Sequence, residues 1–164
     1  MNDRQMLFLD IDGVLHRGNS YVAGSRIVSS APGRIELFEY VHILDDLLSP
    51  YPSVQIVLSS DWAYRFGVEY TRSQLPSPSL RARVIGATYQ GCEFDERLWP
   101  ILSRGAQVLD FVRRRAPVSW IAIDDRKDGF ESCMEKLVRC QSECGLGDPA
   151  VVELLRSRLR QEFS

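Results

Sequence analysis

Short and almost continuously apolar runs alternate with amphipathic stretches along the chain, and this alternation restricts the possible folds more than any other feature of the sequence. The apolar runs occupy residues 6–11, 54–58, 84–87, 120–123 and 137–140. Runs of this kind are typical of strands that are covered on both faces of a parallel sheet. We therefore predict five buried strands.

The stretches between these runs have helical periodicity. They predict helices over residues 35–48, 61–73, 106–113 and 150–163, with Asp61 and the Asp148–Pro149 pair as start signals. Strands that alternate with helices indicate a three-layer α/β/α sandwich around a mostly parallel, Rossmann-like sheet. The length of 164 residues suits a single domain that spans residues 1–164.

Polar side chains follow three of the predicted strands directly. They are Asp10 and Asp12, Ser59 and Ser60, and Asp124 and Asp125. In open α/β sheets the ligand site lies beyond the carboxyl ends of the strands, so we expect these groups to meet there. Two acidic pairs with nearby hydroxyls provide oxygen ligands for a hard cation and suit Mg²⁺ better than zinc.

The order of these residues resembles the haloacid dehalogenase (HAD) superfamily of aspartate-nucleophile phosphohydrolases. The segment Asp10-Ile11-Asp12-Gly13-Val14-Leu15 looks like its first motif, Ser59 after VQIVL like its second, Arg104 like its third, and Asp124-Asp125 after WIAI like its fourth. The segments LSSDWA, VIGAT, SRGAQVLDFV and CGLGDPAVVELL are also similar to the HAD domain of Swiss-army-knife RNA-repair proteins.

The resemblance implies a role for each acidic residue. Asp10 would be the nucleophile that forms an aspartyl-phosphate, and Asp12 the general acid and then the general base. Mg²⁺ would be held by the Asp10 carboxylate, the Asp12 backbone carbonyl and Asp124, with Asp125 as a further ligand or acting through water.

The resemblance also implies a hydroxyl and a cation for the phosphoryl group. Ser59 is the expected hydroxyl, with Ser60 as the alternative. Arg104 is the expected cation, followed by Lys127 and then Arg97; most members of the superfamily use lysine there, so an arginine is a departure.

The spacing of the motifs indicates that the site has no full cap domain. The segment between Leu15 and Ile35 is too short for one, and the segment between Ser59 and Arg104 must also supply a helix and a strand. An open site indicates a bulky phosphorylated substrate, such as a nucleic-acid end, a phosphoprotein or a nucleotide. We expect residues 18–30 to form a flexible loop that could be a partial lid.

The main hypothesis is thus a Mg²⁺-dependent phosphatase that hydrolyses a phosphate monoester. The alternatives are a phosphate-binding or sensing module without turnover, a nucleic-acid end-repair phosphatase, and a receiver-type signalling domain. A net charge of −2 excludes a strongly basic nucleic-acid platform. The sequence leaves the oligomeric state open.

Three further expectations concern single residues and location. We expect His16 to be a surface or loop residue, with a substrate-facing residue as the alternative. We expect the four cysteines to be free thiols, although Cys133, Cys140 and Cys144 could in principle clip a metal. The sequence has no apolar run long enough for a membrane span or a signal peptide, which indicates a cytoplasmic protein.

Overall fold

A computed structural model describes residues 4–164 and places seven strands in them. In chain order the strands are β1 (Gln5–Leu9), β2 (Ser20–Ala23), β3 (Arg26–Ser29), β4 (Val54–Leu58), β5 (Val84–Ala87), β6 (Ser119–Asp124) and β7 (Leu137–Arg139). Five of them form one sheet in the order β5-β4-β1-β6-β7. All neighbouring strands of this sheet are parallel, as the continuous apolar runs predict.

Six α-helices and three 3₁₀ turns connect the strands. The helices are α1 (Val41–Leu48), α2 (Asp61–Phe66), α3 (Val68–Gln74), α4 (Pro78–Arg83), α5 (Arg104–Arg115) and α6 (Pro149–Phe163). The 3₁₀ turns lie at Glu96–Ile101, Met134–Lys136 and Gly145–Gly147. None of the helices in residues 4–164 has the length and hydrophobicity that a bilayer span requires.

The central strand β1 contributes to two separate cores, because alternate side chains of a strand point to opposite faces. Leu7 and Leu9 belong to a large core that also contains apolar residues of α1 and α6. Phe8 belongs to the opposite core, where its ring packs edge-on against Phe111 of α5 and Trp120 of β6. Helices therefore cover both faces of the sheet, and the predicted three-layer fold is confirmed.

The strands are in register at their carboxyl ends. The backbone N–H of Asp10 donates to Ile123 O at 3.1 Å, and the N–H of Ser59 donates to Leu9 O at 3.0 Å. The residues that follow β1, β4 and β6 are thus held side by side at one edge of the sheet. This register positions the candidate site.

Helix α1 is shorter than the predicted helix over residues 35–48. Phe38 adopts a left-handed conformation with φ of 62°, which a right-handed helix cannot include. Its backbone N–H donates to the ring of His16 instead of to a helical carbonyl. The helix therefore begins only at Val41, and the periodic apolar residues before it lie in a turn instead of a helix.

The predicted helix over residues 61–73 is two helices. Gly67, with φ of 87°, separates α2 from α3 and changes the direction of the chain. A further helix, α4, was not predicted although it has a clear start signal. The Ser77 hydroxyl accepts a hydrogen bond from the N–H of Leu80, and Pro78 occupies the first turn.

Residues 18–30 do not form the expected flexible loop. Strands β2 and β3 pair there as an antiparallel hairpin. Tyr21 and Val22 on β2 face Val28 and Ile27 on β3, and a turn at Gly24 joins the strands. Alternating β-branched and aromatic residues around a glycine turn favour a hairpin. No cap domain follows β1, because this hairpin and α1 account for the chain up to β4.

Candidate active site

Three carboxylates meet at the carboxyl edge of the sheet. One carboxylate oxygen of each of Asp10, Asp124 and Asp125 lies within 4.8 Å of the others. Burial and the charge of Asp10 raise the pKa of Asp124 well above its ordinary value, and the same two causes raise the pKa of Asp125 to about 7. A buried cluster of carboxylate oxygens can hold a hard metal ion.

Arg104 is the cation of this cluster and is 2% exposed. Its Nη1 lies 2.8 Å from Asp124 Oδ2 and 3.3 Å from Asp10 Oδ1. Burial alone would lower the pKa of Arg104, but the charges of Asp10 and Asp124 more than reverse this and hold the pKa above its ordinary value. One guanidinium cannot neutralise three carboxylates, which leaves charge for a divalent ion to offset.

The position of Arg104 follows from the start of α5. The Ser103 hydroxyl accepts a hydrogen bond from the N–H of Ala106 and caps the helix, so Arg104 is its first residue. Its backbone N–H donates to Asp128 Oδ2 at 3.0 Å, and Arg126 pairs with the same carboxylate. The backbone of Arg104 is thereby fixed to the loop that follows β6.

The other two cations that the sequence offers lie elsewhere. Lys127 is exposed, and its ammonium group forms no hydrogen bond or ion pair within residues 4–164. Arg97 is exposed and pairs with Asp95 at 2.8 Å. Arg104 is the one of the three in contact with Asp10.

Asp12 is not part of the three-carboxylate cluster and is held through one oxygen. Asp12 Oδ1 lies 2.8 Å from His16 Nε2, 2.8 Å from Ser20 Oγ and 3.2 Å from Trp62 Nε1. Burial raises the pKa of Asp12, but these hydrogen bonds outweigh burial and leave the pKa below its ordinary value. Within residues 4–164, no hydrogen bond reaches Oδ2, which remains free to face a ligand.

His16 lies in the loop between β1 and β2, as expected, but it is not a surface residue. Its side chain is fully buried, and the rings of Phe38 and Trp62 pack against it. Both ring nitrogens have partners: Nε2 contacts Asp12, and Nδ1 accepts from the N–H of Phe38 at 3.2 Å. The sequence gives no sign of this burial because Phe38 and Trp62 are remote along the chain.

The two serines after β4 have different environments. The hydroxyl of Ser59 is buried and has no hydrogen-bond partner within the described part of the chain. The hydroxyl of Ser60 accepts from the N–H of Trp62 at 3.1 Å and caps α2. A buried orphan hydroxyl is unfavourable without a ligand, so Ser59 is the better candidate for contact with an anion.

A cleft of about 410 Å³ opens next to Asp12. Strand β2, helix α2 and the 3₁₀ turn around Trp99 form its walls, and its lining includes Tyr21, Tyr64 and Arg65. The sequence did not identify these residues as part of a site, because they come from separate loops and carry no local motif. Their arrangement places aromatic side chains and one arginine beside the carboxylates of Asp12 and Asp61.

All four cysteines are free thiols. Cys140 is buried next to the acidic cluster, and burial raises the pKa of its thiol. Among residues 4–164, the cysteines join no group of three or more side chains placed to hold a metal ion. The acidic cluster is thus where a metal site can be argued.

The site has an Asp-x-Asp pair after the central strand of a parallel sheet. A serine and a second acidic pair follow the neighbouring strands. This arrangement is that of a HAD-superfamily domain, a class that supports phosphohydrolase-type chemistry. Over residues 6–151 the chain matches the family described as the HAD domain in Swiss Army Knife RNA repair proteins, and it belongs to this family. Comparison with the curated proteins and with the solved structures gives no significant match.

Proposed function

We propose that the protein is a Mg²⁺-dependent phosphatase that hydrolyses a phosphate monoester through an aspartyl-phosphate intermediate. The observation that carries this proposal is the position of Arg104, buried between Asp10 and Asp124. A buried guanidinium beside a carboxylate nucleophile can stabilise the charge of a transferring phosphoryl group without reorganisation. Membership of the family supports the same class of enzyme.

In the first step, a carboxylate oxygen of Asp10 attacks the phosphorus atom of the substrate. A bond forms between Asp10 and phosphorus, and the bond from phosphorus to the leaving oxygen breaks. Asp12 donates a proton to that oxygen, which leaves as an alcohol. Arg104 and the Ser59 hydroxyl donate to the equatorial oxygens of the phosphoryl group.

In the second step, Asp12 accepts a proton from a water molecule, and the water oxygen attacks the same phosphorus atom. The bond between phosphorus and Asp10 breaks and releases inorganic phosphate, which regenerates both carboxyl groups. Asp12 therefore alternates between acid and base, and the free Oδ2 is the oxygen that can carry the proton.

The residues that would hold Mg²⁺ are Asp10 and Asp124 through their carboxylates and Asp12 through its backbone carbonyl. Asp125 would be a further ligand or would act through water. When bound, the ion offsets the repulsion between Asp10 and the phosphoryl oxygens and spreads the negative charge of the transition state.

We further propose a phosphorylated nucleic-acid end as the substrate class. The family is described by its place in RNA repair proteins. The cleft beside Asp12 is open, contains Tyr21 and Tyr64, and has Arg65 at its side. Aromatic faces and arginine are the groups that bind unstacked bases and the phosphates between them.

Turnover of p-nitrophenyl phosphate with and without Mg²⁺ tests the activity. We expect wild-type turnover that requires Mg²⁺ and that Asp10→Asn abolishes. Asp46→Asn is the matched control, because Asp46 is an exposed carboxylate on α1. If no phosphate ester turns over at saturating Mg²⁺ while inorganic phosphate still binds, the protein is a phosphate-binding module instead.

A panel of phosphorylated compounds tests the substrate class. Oligonucleotides with a 5′ or 3′ phosphate are compared with nucleotides, phosphopeptides and small phosphorylated metabolites. We expect the highest kcat/KM for an oligonucleotide end and a specific loss of this preference in Tyr21→Ala. Equal rates for oligonucleotides and small metabolites would contradict the nucleic-acid proposal but not the phosphatase activity.

A further inference from the structure

The hydrogen bonds of His16 define which of its nitrogens carries the proton. The backbone N–H of Phe38 points at Nδ1, so Nδ1 must present a lone pair. The proton of the neutral ring then lies on Nε2, which is 2.8 Å from Asp12 Oδ1. His16 is thus a hydrogen-bond donor of fixed direction towards the proposed acid/base carboxyl.

The unusual backbone of Phe38 maintains this arrangement. A φ of 62° is uncommon for a bulky residue and persists only where surrounding contacts impose it. Here the Phe38 ring packs between His16 and Trp62, with ring centroids 5.8 Å and 5.5 Å away. The strained residue directs its N–H at the imidazole and closes the pocket around it.

Two further donors reach the same carboxylate oxygen. Ser20 and Trp62 both donate to Asp12 Oδ1, and Trp62 Nε1 also lies 2.8 Å from Ser20 Oγ. Three donors on one oxygen restrain the carboxyl group and leave Oδ2 without a hydrogen bond among residues 4–164. Of the three donors, His16 is the one that is fully buried.

We propose that His16 is the positioning residue of the Asp12 carboxyl: its Nε2–H holds Oδ1 so that Oδ2 alone is presented to the leaving oxygen of the substrate. This inference rests on the proposed phosphatase activity. Loss of the donor lets the carboxyl rotate, and proton donation to the leaving oxygen then becomes the slow event.

The dependence of kcat/KM on the leaving group tests this role. For an enzyme that forms an aspartyl-phosphate, kcat/KM reports steps up to departure of the first product, and p-nitrophenolate departs with little need of a proton. We expect His16→Leu to lower kcat/KM for phenyl phosphate by about tenfold more than for p-nitrophenyl phosphate. His16→Gln keeps an N–H donor, and we expect it to recover most of the loss.

Two controls separate this role from general damage to the fold. His42→Leu removes the other histidine of the chain, which is exposed on α1, and should leave both substrates unaffected. Because the chain has only two histidines, ¹⁵N NMR of the wild type can assign the His16 ring. We expect the neutral form with the proton on Nε2. Ser20→Ala, on the exposed hairpin, should also lower kcat/KM more for phenyl phosphate than for p-nitrophenyl phosphate, but by a smaller factor than His16→Leu.

The outcomes distinguish this inference from the proposed function. Equal losses for the two esters in His16→Leu, or a ring protonated on Nδ1, overturn the positioning role even where Asp10→Asn abolishes an otherwise normal activity. If His16→Leu does not fold, the Ser20→Ala comparison and the NMR assignment decide. A wild type without Mg²⁺-dependent turnover overturns the phosphatase proposal and this inference with it.

Discussion

The hydroxyls of Ser59 and Ser60 are adjacent in the chain but have opposite energetic roles. Ser59 Oγ is buried without a partner, whereas Ser60 Oγ caps α2. Ser59→Ala should therefore leave the free energy of unfolding within about 0.5 kcal/mol of the wild type, because no hydrogen bond is lost. Ser60→Ala should lower it by about 1 kcal/mol. Urea denaturation of the ligand-free protein measures both values.

The two variants should rank in the opposite order for activity, with the larger loss in Ser59→Ala. A hydrogen bond to a charged phosphoryl group contributes enough for its loss to cost about tenfold or more. We expect Ser59→Ala to lower kcat/KM by about tenfold, and Ser60→Ala to have a smaller effect. A larger catalytic loss in Ser60→Ala would assign the phosphate contact to Ser60.

Arg104 should matter for both rate and stability. Arg104→Ala should lower the rate of p-nitrophenyl phosphate hydrolysis at least about tenfold, since the transferring charge loses its buried partner. Without a divalent cation it should also lower the free energy of unfolding by about 3 kcal/mol, because Asp10 and Asp124 are left without a counter-ion. Lys127→Ala, a change at an exposed site, is the control. An unchanged rate in Arg104→Ala would show that Arg104 does not stabilise the transferring group.

Helix α5 lies unusually close to the loop after β6, and Gly105 makes this possible. A Cβ atom at Gly105 would lie 2.0 Å from the backbone carbon of Gly129. Gly105→Ala must therefore push α5 away from that loop and should destabilise the fold by about 3 kcal/mol. Arg104 would move with the helix, so activity should fall as well. Thermal denaturation and turnover measure the two effects.

Gly24, in the turn of the β2–β3 hairpin, provides the comparison for that substitution. A Cβ atom there would meet nothing within 4 Å, although φ is +64°. Gly24→Ala should cost about 1 kcal/mol from backbone conformation alone. If Gly105→Ala and Gly24→Ala were equally stable, the close packing of α5 against the loop would not explain the glycine at position 105.

Among the secondary-structure elements, the strands of the sheet were predicted better from the sequence than the helices around it. The apolar runs identify all five parallel strands, and the acidic pairs follow directly from where those runs stop. The break before Val41 was not predictable, because it arises from contact between Phe38 and His16. The split at Gly67 was overlooked although a glycine marks it. Local periodicity reports burial, but not the tertiary contacts that end an element.

The same distinction applies to the site. Asp10 and Asp124 could be proposed from order along the chain, since parallel strands bring their carboxyl ends together, whereas Arg104 was proposed from the resemblance to the HAD superfamily. The donors around Asp12 could not, because Ser20 and Trp62 reach it through the hairpin and a helix whose placement depends on the packed fold. The different roles of Ser59 and Ser60 can be recognised only from their side-chain contacts.

For the whole molecule, the carboxylate cluster should make stability depend on pH when no divalent cation is bound. The pKa of Asp125 is about 7 in the fold against an ordinary value of 3.8, and that of Asp124 is also raised. The folded state therefore binds more protons than the unfolded state between these values. Stability is lost as the pH rises through about 7.

Other carboxyl groups have the opposite effect at lower pH. The pKa of Asp128 is held at about 2, mainly by its hydrogen bond from Arg126, and the pKa of Asp12 is also lowered. These two groups stabilise the fold above pH 3.8, the ordinary pKa of an aspartate, and this stabilisation is lost as the pH falls below that value. For these groups, the cation-free protein should therefore be most stable near the ordinary carboxyl pKa of 3.8 and should lose stability on either side of it.

Thermal denaturation at pH 5 and pH 8, in EDTA and in Mg²⁺, tests this pH dependence. We expect a lower Tm at pH 8 than at pH 5 in EDTA, and a larger rise in Tm on addition of Mg²⁺ at pH 8, where fewer protons compete with the ion. Asp125→Asn should reduce the difference between the two pH values. An equal effect of Mg²⁺ at both would contradict a cation site in this cluster.

The central place of β1 in the sheet has a consequence for biosynthesis. Asp10 follows β1, but the neighbours of β1 in the sheet are β4 and β6, which come later in the chain, and β6 ends at Asp124. In a nascent chain that stops short of β6, Asp10 follows a strand that lacks one of its two neighbours in the sheet. The proposed phosphatase activity should therefore be absent during translation until β6 has left the ribosome.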